Sequence, residues 1–374
     1  MKIFLTGGGT GGHFYPLIAV ARALKDKTER DKIFDLELIY GASKPYDPQL
    51  LSEEEIRFMK LPSGKIRRYF SIMNLIDPFK TLWGAIKAIF KIYLDFPDVI
   101  FAKGGYDSFP ALVAAKIFKI PLVIHESDII PGKVTKWASK FASRIAVSFP
   151  ETAKYFPAER TALTGNPVRK QIIGGNVVEA NEIFNLDSGV DTILFLGGSL
   201  GAKALNDFVL DIAPELIRDF QIIHVTGRNN FREAKLRASI VFENTDAKNR
   251  YHVYEFLDEG AYRNAALVSA LVVSRAGAGA IFEIAAWGLP SILIPFPTAA
   301  QDEQRENAYA YARCGAAIVM EEKNLTPHLL IFEIKKLQAD KAAVERMRKA
   351  ATAFARLDAA DKIAEEILKL ALSH

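Results

Sequence analysis

Residues 2–13 read KIFLTGGGTGGH: a short apolar strand, a run of glycines, and His13 leading into the helix-like stretch Pro16–Leu24. A strand, a glycine turn and a helix N-terminus together turn backbone N–H groups toward an anion, and the helix dipole adds to the attraction. Glycine suits the turn because a Cβ would block close approach and disfavour positive φ. A second copy of the arrangement begins at Thr192, where Phe195-Leu196-Gly197-Gly198-Ser199-Leu200-Gly201-Ala202 leads into a helix from Lys203. Neither turn is a Walker A loop, because no Gly-Lys-Ser/Thr follows, and the first fits the dinucleotide fingerprint poorly. A third glycine turn, Lys103-Gly104-Gly105-Tyr106, follows the apolar run Asp98–Ala102. It sits at a strand's C-terminal end, where open parallel sheets bind ligands.

Outward from these turns, nearly unbroken apolar runs alternate with helix-like segments. The strand candidates are Lys2–Thr6, Leu36–Tyr40, Asp98–Ala102, Leu122–His125 and Arg144–Val147. The second set is Thr192–Leu196, Gln221–Val225, His252–Glu255, Ala270–Ser274 and Ser291–Pro295. Such runs suit strands covered on both faces, and their alternation with helices predicts parallel sheets in an α/β protein. The pattern restarts after Thr164-Gly165-Asn166-Pro167, a plausible hinge. Lys341–Leu372 reads as one or two amphipathic helices.

A chain of 374 residues, half of it hydrophobic, accommodates two such domains. One cysteine, Cys314, permits no internal disulfide or zinc cluster and fits a reducing compartment. The six histidines show no metal-ligand spacing. The N-terminus lacks a signal-peptide apolar region, and no apolar run reaches the roughly 18 residues that span a bilayer. Net charge is uneven: residues 1–166 hold 24 Lys+Arg against 17 Asp+Glu, a balance of +7, and the remaining 24 against 27 give −3. The basic half suits an anionic partner, and the composition does not point to nucleic acid.

The densest constellation is Ser274-Arg275-Ala276-Gly277-Ala278-Gly279-Ala280-Ile281-Phe282-Glu283. Small residues let a ligand lie against a helix N-terminus. Glu283 can accept two hydrogen bonds from a ribose diol, or can simply complement the helix dipole. Downstream, Gln301-Asp302-Glu303-Gln304-Arg305-Glu306-Asn307 mixes amides with carboxylates, which suits sugar hydroxyls and equally a polar helix start. Residues 65–91 carry six Lys/Arg against one acid, with apolar residues Leu82, Trp83, Ile86 and Phe90 at helical spacing. That stripe fits a helix lying on an anionic bilayer; a stripe packed on the sheet is the other reading.

These motifs together resemble the MurG family of cell-wall N-acetylglucosaminyltransferases, from residue 1 to about 345. The resemblance rests on Gly8 to His13, Gly104-Gly105-Tyr106, His125-Glu126 with Pro131-Gly132, and Thr164-Gly165-Asn166-Pro167-Val168-Arg169. It continues through Gly197 to Ala202, Arg275 to Glu283, and Asp302 to Asn307. It implies a GT-B fold of two Rossmann-like domains with parallel sheets facing across a cleft. The expected parts are an acceptor and membrane-binding domain at 1–165, a UDP-sugar domain at 166–345, and a C-terminal helix at 346–374 returning to the first.

The implied activity is inverting transfer of N-acetylglucosamine from UDP-GlcNAc to the 4-hydroxyl of the muramoyl group of lipid I, giving lipid II for peptidoglycan synthesis. The place of action is the cytoplasmic face of the cell membrane, held peripherally through 65–91, with other cell-wall enzymes as further partners. Carried over by position, Leu257 lies near uracil, Glu283 holds the ribose, and Ser199 and the backbone around Ala278 face the diphosphate. Arg169 approaches the diphosphate from the hinge. Gln304 and Asn307 contact the sugar, with Glu303 close by. Thr10, Gly11, Gly12, Gly104, Gly105, Tyr106, His125, Asp128 and Asn166 complete the substrate-binding set.

His13 is the expected general base, or a donor to acceptor phosphate. Glu126 is the second candidate, orienting a histidine or acting itself. No Asp-x-Asp occurs in the chain, so neither a metal nor another cofactor is expected. The sequence departs from the family at four places. Asp128 and Thr135 stand where asparagines are usual, and Ala276 and Ala280 stand where the family carries hydroxyls. Another GT-B glycolipid transferase, a non-catalytic UDP-sugar-binding subunit and a hydrolysing sugar-nucleotide epimerase are the alternatives. Both half-sites lie in one chain with His13 and Glu283 present, which speaks against the subunit. The lipid-facing segment speaks against the epimerase.

Overall fold

The computed structural model describes residues 1–33, 35–64, 73–198, 202–243, 245, 248–297 and 302–373, with side chains described outside 73–80 and 248. The chain divides into two units: Met1–Arg169 with Arg356–His374, and Lys170–Ala355.

Unit 1 is a seven-stranded parallel sheet. Its strands are β1 (Lys2–Thr6), β2 (Glu37–Ala42), β3 (Arg57–Lys60), β4 (Val99–Ala102), β5 (Leu122–Glu126), β6 (Arg144–Val147) and β7 (Thr161–Leu163). Their order is β3-β2-β1-β4-β5-β6-β7, so the winding reverses between β1 and β4, where Thr6 lies opposite Ala102. Unit 2 repeats the plan with β8 (Thr192–Leu196), β9 (Gln221–Val225), β10 (Tyr251–Tyr254), β11 (Ser269–Ser274), β12 (Ser291–Leu293) and β13 (Ala317–Val319). Its order is β10-β9-β8-β11-β12-β13, with the reversal between β8 and β11, where Leu196 lies opposite Ser274. Every strand pair is parallel, and apolar cores lie on both faces of each sheet. In such sheets the crevice at the C-terminal ends of the reversal pair is the ligand position. All three glycine turns and the Arg275–Gly279 turn stand at these two places.

The helix after β1 runs over Gly11–Arg30, not only Pro16–Leu24. Its glycines are poor helix formers, and packing of Phe14, Leu17, Ile18 and Val20 into the core carries the first turn. The C-terminal stretch forms two helices, Lys341–Phe354 in unit 2 and Ala359–Leu372 in unit 1. Ile363, Ala364, Ile367 and Leu368 of the last helix enter the same core as Leu17 and Val20, and Lys27 pairs with Glu365 at 3.6 Å.

Helix Met73–Asp95 buries Ala85, Ala88 and Ile92 in unit 1. Gly84 lets the Pro62 carbonyl come so close that a Cβ would overlap it. The opposite face leaves Leu82, Trp83, Ile86 and Phe90 between 49% and 65% exposed, so the stripe does not pack on the sheet. Residues 65–72 of the basic segment lie outside the described residues. No described helix is long and apolar enough to cross a membrane.

Candidate active site

In unit 1 the site begins with close approach of backbone. A Cβ on Gly7 would stand 2.7 Å from Lys103 Cβ, one on Gly8 2.7 Å from an Asp107 carboxylate oxygen, and one on Gly9 2.8 Å from the Tyr106 hydroxyl. The glycines after β1 therefore let that turn lie directly on the turn after β4. Gly7 and Gly9 also take positive φ, +148° and +95°. Tyr40 ties the turn down by donating from its hydroxyl to the Gly7 carbonyl at 3.0 Å.

Thr10 is the N-cap of the helix after β1, yet its hydroxyl makes no cap bond. It meets His13 Nδ1 at 3.1 Å instead, while Nε2 faces Gly105. Burial, and after it the charge of Lys103, pushes the His13 imidazole down to about 4, so the ring is neutral at physiological pH. Gly11 is buried and Gly12 exposed at the same helix start. Burial, then Asp107, pushes the half-buried Tyr106 phenol up to about 12, which keeps it a donor.

Beneath these turns lies a group to which sequence reasoning gave no role. Lys103 is 2% exposed. Its ammonium donates to His125 Nδ1 at 2.6 Å, to Asn166 Oδ1 at 2.7 Å and to the Ser127 hydroxyl. The other ring nitrogen, Nε2, donates to the Gly165 carbonyl at 2.9 Å, so both His125 nitrogens are engaged. Burial drives the lysine down from its ordinary range, and the Glu126 and Asp128 carboxylates oppose that. Burial and Lys103 hold His125 well below the ordinary histidine value. The available signal was a lysine directly after a four-residue buried strand, ahead of two glycines.

Glu126 is also buried. Its oxygens accept from the backbone N–H groups of Asp128 at 3.3 Å and Gly132 at 3.1 Å. A hydrogen bond from Thr135 also acts on it. Burial, then Asp128, raises its carboxyl, and these donors oppose the rise. A carboxylate tied across its own turn shapes the loop after β5, and this geometry does not place it as a free base. Asp128 is half-buried at the same strand end. Arg169 closes unit 1, its guanidinium 3.8 Å above the Tyr15 ring.

In unit 2, the helix Ala278–Trp287 starts at the end of β11 with Gly277 as N-cap and neither a side-chain cap nor an acidic first turn. Glu283, half-buried, accepts from the Tyr262 hydroxyl at 3.0 Å. Tyr262 packs edge-on to Trp287, whose indole donates to the Ile172 carbonyl at 2.8 Å. Arg275 is buried; it donates to the Ile294 carbonyl at 3.2 Å and pairs with Glu322. Gln304 Oε1 accepts from the Phe296 N–H at 3.0 Å. Both thus brace the loop after β12.

The set expected from the sequence is therefore split. Thr10, Gly11, Gly12, His13, Gly104, Gly105 and Tyr106 gather at the unit 1 reversal, and Ala278 and Glu283 at the unit 2 reversal. Of the expected residues, His125, Asn166, Arg169, Leu257, Ala278 and Asn307 are buried. Ser199 and Gln301 lie outside the described residues.

Two doubly wound units, each with glycine-lined turns at its reversal, define a GT-B protein. Residues 3–147 match the glycosyltransferase family 28 N-terminal domain, and residues 192–363 match the family's C-terminal domain. The chain belongs to glycosyltransferase family 28 and, within it, to the MurG enzymes. It is 36% identical over 341 residues to the UDP-N-acetylglucosamine--N-acetylmuramyl-(pentapeptide) pyrophosphoryl-undecaprenol N-acetylglucosamine transferase of Clostridium perfringens, covering 91% of each chain. Identity to the Clostridium kluyveri enzyme of that name is 34%, over 98% of this chain and 99% of that one. A crystal structure of Acinetobacter baumannii MurG superposes with a TM-score of 0.71 at 26% identity, over 98% and 99% of the two chains. A UDP-GlcNAc 2-epimerase from Neisseria meningitidis shares the fold, TM-score 0.68, at 15% identity, covering 99% of this chain and 100% of that one.

Proposed function

We propose that the chain transfers N-acetylglucosamine from UDP-GlcNAc to the 4-hydroxyl of the muramoyl sugar of lipid I, with inversion, at the cytoplasmic face of the membrane. The observation that carries this reading is similarity along nearly the whole chain to transferases named for that donor and acceptor. In this reading unit 2 binds the donor. Glu283 holds the ribose, and the N–H groups at the head of helix Ala278–Trp287 and near Ser199 take the diphosphate. Backbone donors serve there although Ala276 and Ala280 carry no hydroxyl. Gln304 offers its amide N–H₂ to the sugar, with Glu303 beside it. Unit 1 binds the acceptor at the glycine turns. Arg169 adds positive charge there.

The attacking hydroxyl loses its proton as the bond to the anomeric carbon forms, and UDP leaves with the bonding pair. His13 accepts that proton through Nε2, in the neutral tautomer whose Nδ1–H donates to the Thr10 hydroxyl. The diphosphate's gathering charge is stabilised by preorganised N–H donors, with no cofactor required. Undiminished turnover in chelator is expected, and a loss would remove that part of the reading. The exposed stripe Leu82, Trp83, Ile86 and Phe90, with Lys87 and Lys91 on the same helix, is the proposed membrane contact. Trp83→Glu/Phe90→Glu should lose cosedimentation with anionic vesicles; undiminished binding argues against the contact.

The central test is transfer of radiolabel from UDP-GlcNAc to a short-chain lipid I analogue, with UDP-N-acetylgalactosamine as control. Equal transfer from both donors, or none from UDP-GlcNAc, overturns the assignment.

A further inference from the structure

A glutamate carries its carboxylate on several rotatable bonds, so holding that group for a ligand costs rotamer entropy unless the protein has already fixed it. Glu283 is fixed from a neighbouring helix. Tyr262 stands in the first turn of helix Glu259–Val268, which opens directly after Leu257 and Asp258. Asp258 caps that helix by accepting from the Ala261 N–H at 2.8 Å. The Tyr262 hydroxyl donates to Glu283 Oε2 at 3.0 Å. Its ring meets the Trp287 ring edge-on, with 4.8 Å between centroids and 78° between planes.

Trp287 lies one helical turn beyond Glu283, so the two side chains share a face of helix Ala278–Trp287. The Trp287 indole donates to the Ile172 carbonyl at 2.8 Å, and Ile172 is buried. A chain of contacts thus runs from a buried carbonyl through an indole and a phenol to the carboxylate. All of its members belong to unit 2. A carboxylate offers about four acceptor positions, and one phenol sets its direction while occupying one of them. A hydroxyl missing opposite a prealigned acceptor leaves that acceptor unpaired, whereas an acceptor free to turn regains a water. Alignment therefore adds discrimination as well as affinity.

We infer that Tyr262, held by Trp287, is a positioning residue of the donor site: it aims the Glu283 carboxylate at the ribose hydroxyls and so makes the site discriminate ribose from 2′-deoxyribose in a uridine diphosphate. The inference rests on the ribose role proposed for Glu283.

The test is calorimetric titration of the full chain with UDP and with 2′-deoxy-UDP. Wild type should bind UDP on the order of tenfold more tightly than 2′-deoxy-UDP. Tyr262→Phe keeps the ring against Trp287 and removes only the hydroxyl. It should weaken UDP about fivefold and 2′-deoxy-UDP less than about twofold, so that the ratio between them falls. Trp287→Leu should move the ratio the same way by a smaller factor, since it acts through Tyr262. In a Glu283→Ala background, Tyr262→Phe should change UDP affinity by less than about twofold, because the group it positions is gone. The acceptor KM of Tyr262→Phe should stay within about twofold of wild type, since unit 1 is untouched.

Equal weakening of both nucleotides by Tyr262→Phe marks a merely structural role and overturns the inference, as does an unchanged affinity for UDP. Effects of Tyr262→Phe and Glu283→Ala that simply multiply in the double variant overturn it as well. A folded Trp287→Leu with the wild-type ratio rejects the support from Trp287; should Trp287→Leu not fold, the Tyr262→Phe ratio decides alone. Wild-type protein that binds neither nucleotide, or both alike, defeats the ribose role of Glu283 and this inference with it. Wild-type discrimination that survives Tyr262→Phe defeats the inference alone.

Discussion

The two units share a winding order and a glycine turn at the reversal, but differ in what supports that turn. Under the first turn of unit 2 lies a neutral chain. His224 meets the Tyr251 hydroxyl at 2.6 Å and Asn206 Oδ1 at 3.1 Å, and Asn206 Nδ2 donates to the Thr226 carbonyl at 2.9 Å. Under the first turns of unit 1 lies a charged cluster, Lys103 with His125, Glu126 and Asp128. A neutral, saturated chain fixes geometry and titrates nothing near pH 7. A buried charge also sets the protonation of its neighbours, and His13 is one of them. The contrast fits a division of labour in which unit 2 holds a donor by backbone N–H groups and unit 1 handles a proton.

The sharpest break of that contrast is at His13. His13→Ala should lower kcat by about 10²–10⁴-fold and leave the donor KM unchanged, as expected for loss of a general base. An unchanged kcat in a steady-state transfer assay removes His13 from the chemistry. In wild type the acid limb of kcat/KM should fall near 4, because the imidazole is depressed and stays unprotonated above that pH.

The counterpart in unit 2 is Glu283. Glu283→Ala removes the carboxylate that Tyr262 positions. Loss of a charged acceptor to a ribose diol costs about 1.5–3 kcal/mol, so the donor KM should rise on the order of tenfold to a hundredfold with the acceptor KM unmoved. A rise in acceptor KM instead would put Glu283 outside the donor site.

Next in size is a pH effect on stability. Burial holds His224 at about 3, well below its unfolded value near 6.5. Between those values the unfolded chain binds a proton that the folded one does not. Its contribution is therefore fully present above about 6.5 and is lost as pH falls toward 3. At pH 5 the loss is on the order of 2 kcal/mol. Urea midpoints at pH 7.5 and 5.0 should differ less in His224→Asn than in wild type, whatever its baseline. An equal difference in both would show that His224 does not carry the acid sensitivity.

How far the sequence could be read follows the same physics. The ten apolar runs all fall on strands, most of which are central strands whose positions are largely buried. The strands β3, β7 and β13 escape that reading. Arg57-Phe58-Met59-Lys60 is a four-residue edge strand with a charged residue at each end, and Thr161–Leu163 and Ala317–Val319 are three residues long. Gly11 and Gly12 hid the true start of their helix. At the site, the residues on the turns were legible from their types. Lys103 was not, because its partners come from β5 and from beyond β7, and no local pattern announces a buried cation. For the same reason nothing local in the sequence announces that His125 and Asn166 accept from its ammonium.

The smallest effect separates the two glycine turns themselves. Gly7 and Gly197 occupy equivalent places after β1 and β8. At Gly7 the positive φ and a Cβ placed 2.7 Å from Lys103 Cβ act together, and the obstructing atom is fixed to backbone. At Gly197 the nearest described atoms stand at 3.1 Å on the Asn206 amide and 3.2 Å on the Ala202 nitrogen, and the amide can shift by a few tenths of an ångström. Gly7→Ala should cost about 2 kcal/mol and Gly197→Ala about 0.5 kcal/mol, within the range for overpacking and backbone strain. Thermal denaturation of the two variants at pH 7.5 reads the difference. If the losses are equal, close packing of the β1 turn on the β4 turn is not what Gly7 provides, and the charged cluster beneath it is less tightly seated than the distances imply. If Gly7→Ala instead folds normally but moves the acid limb of kcat/KM, the tight approach serves to hold Lys103 in place beside His13, and the two turns differ in purpose as well as in packing.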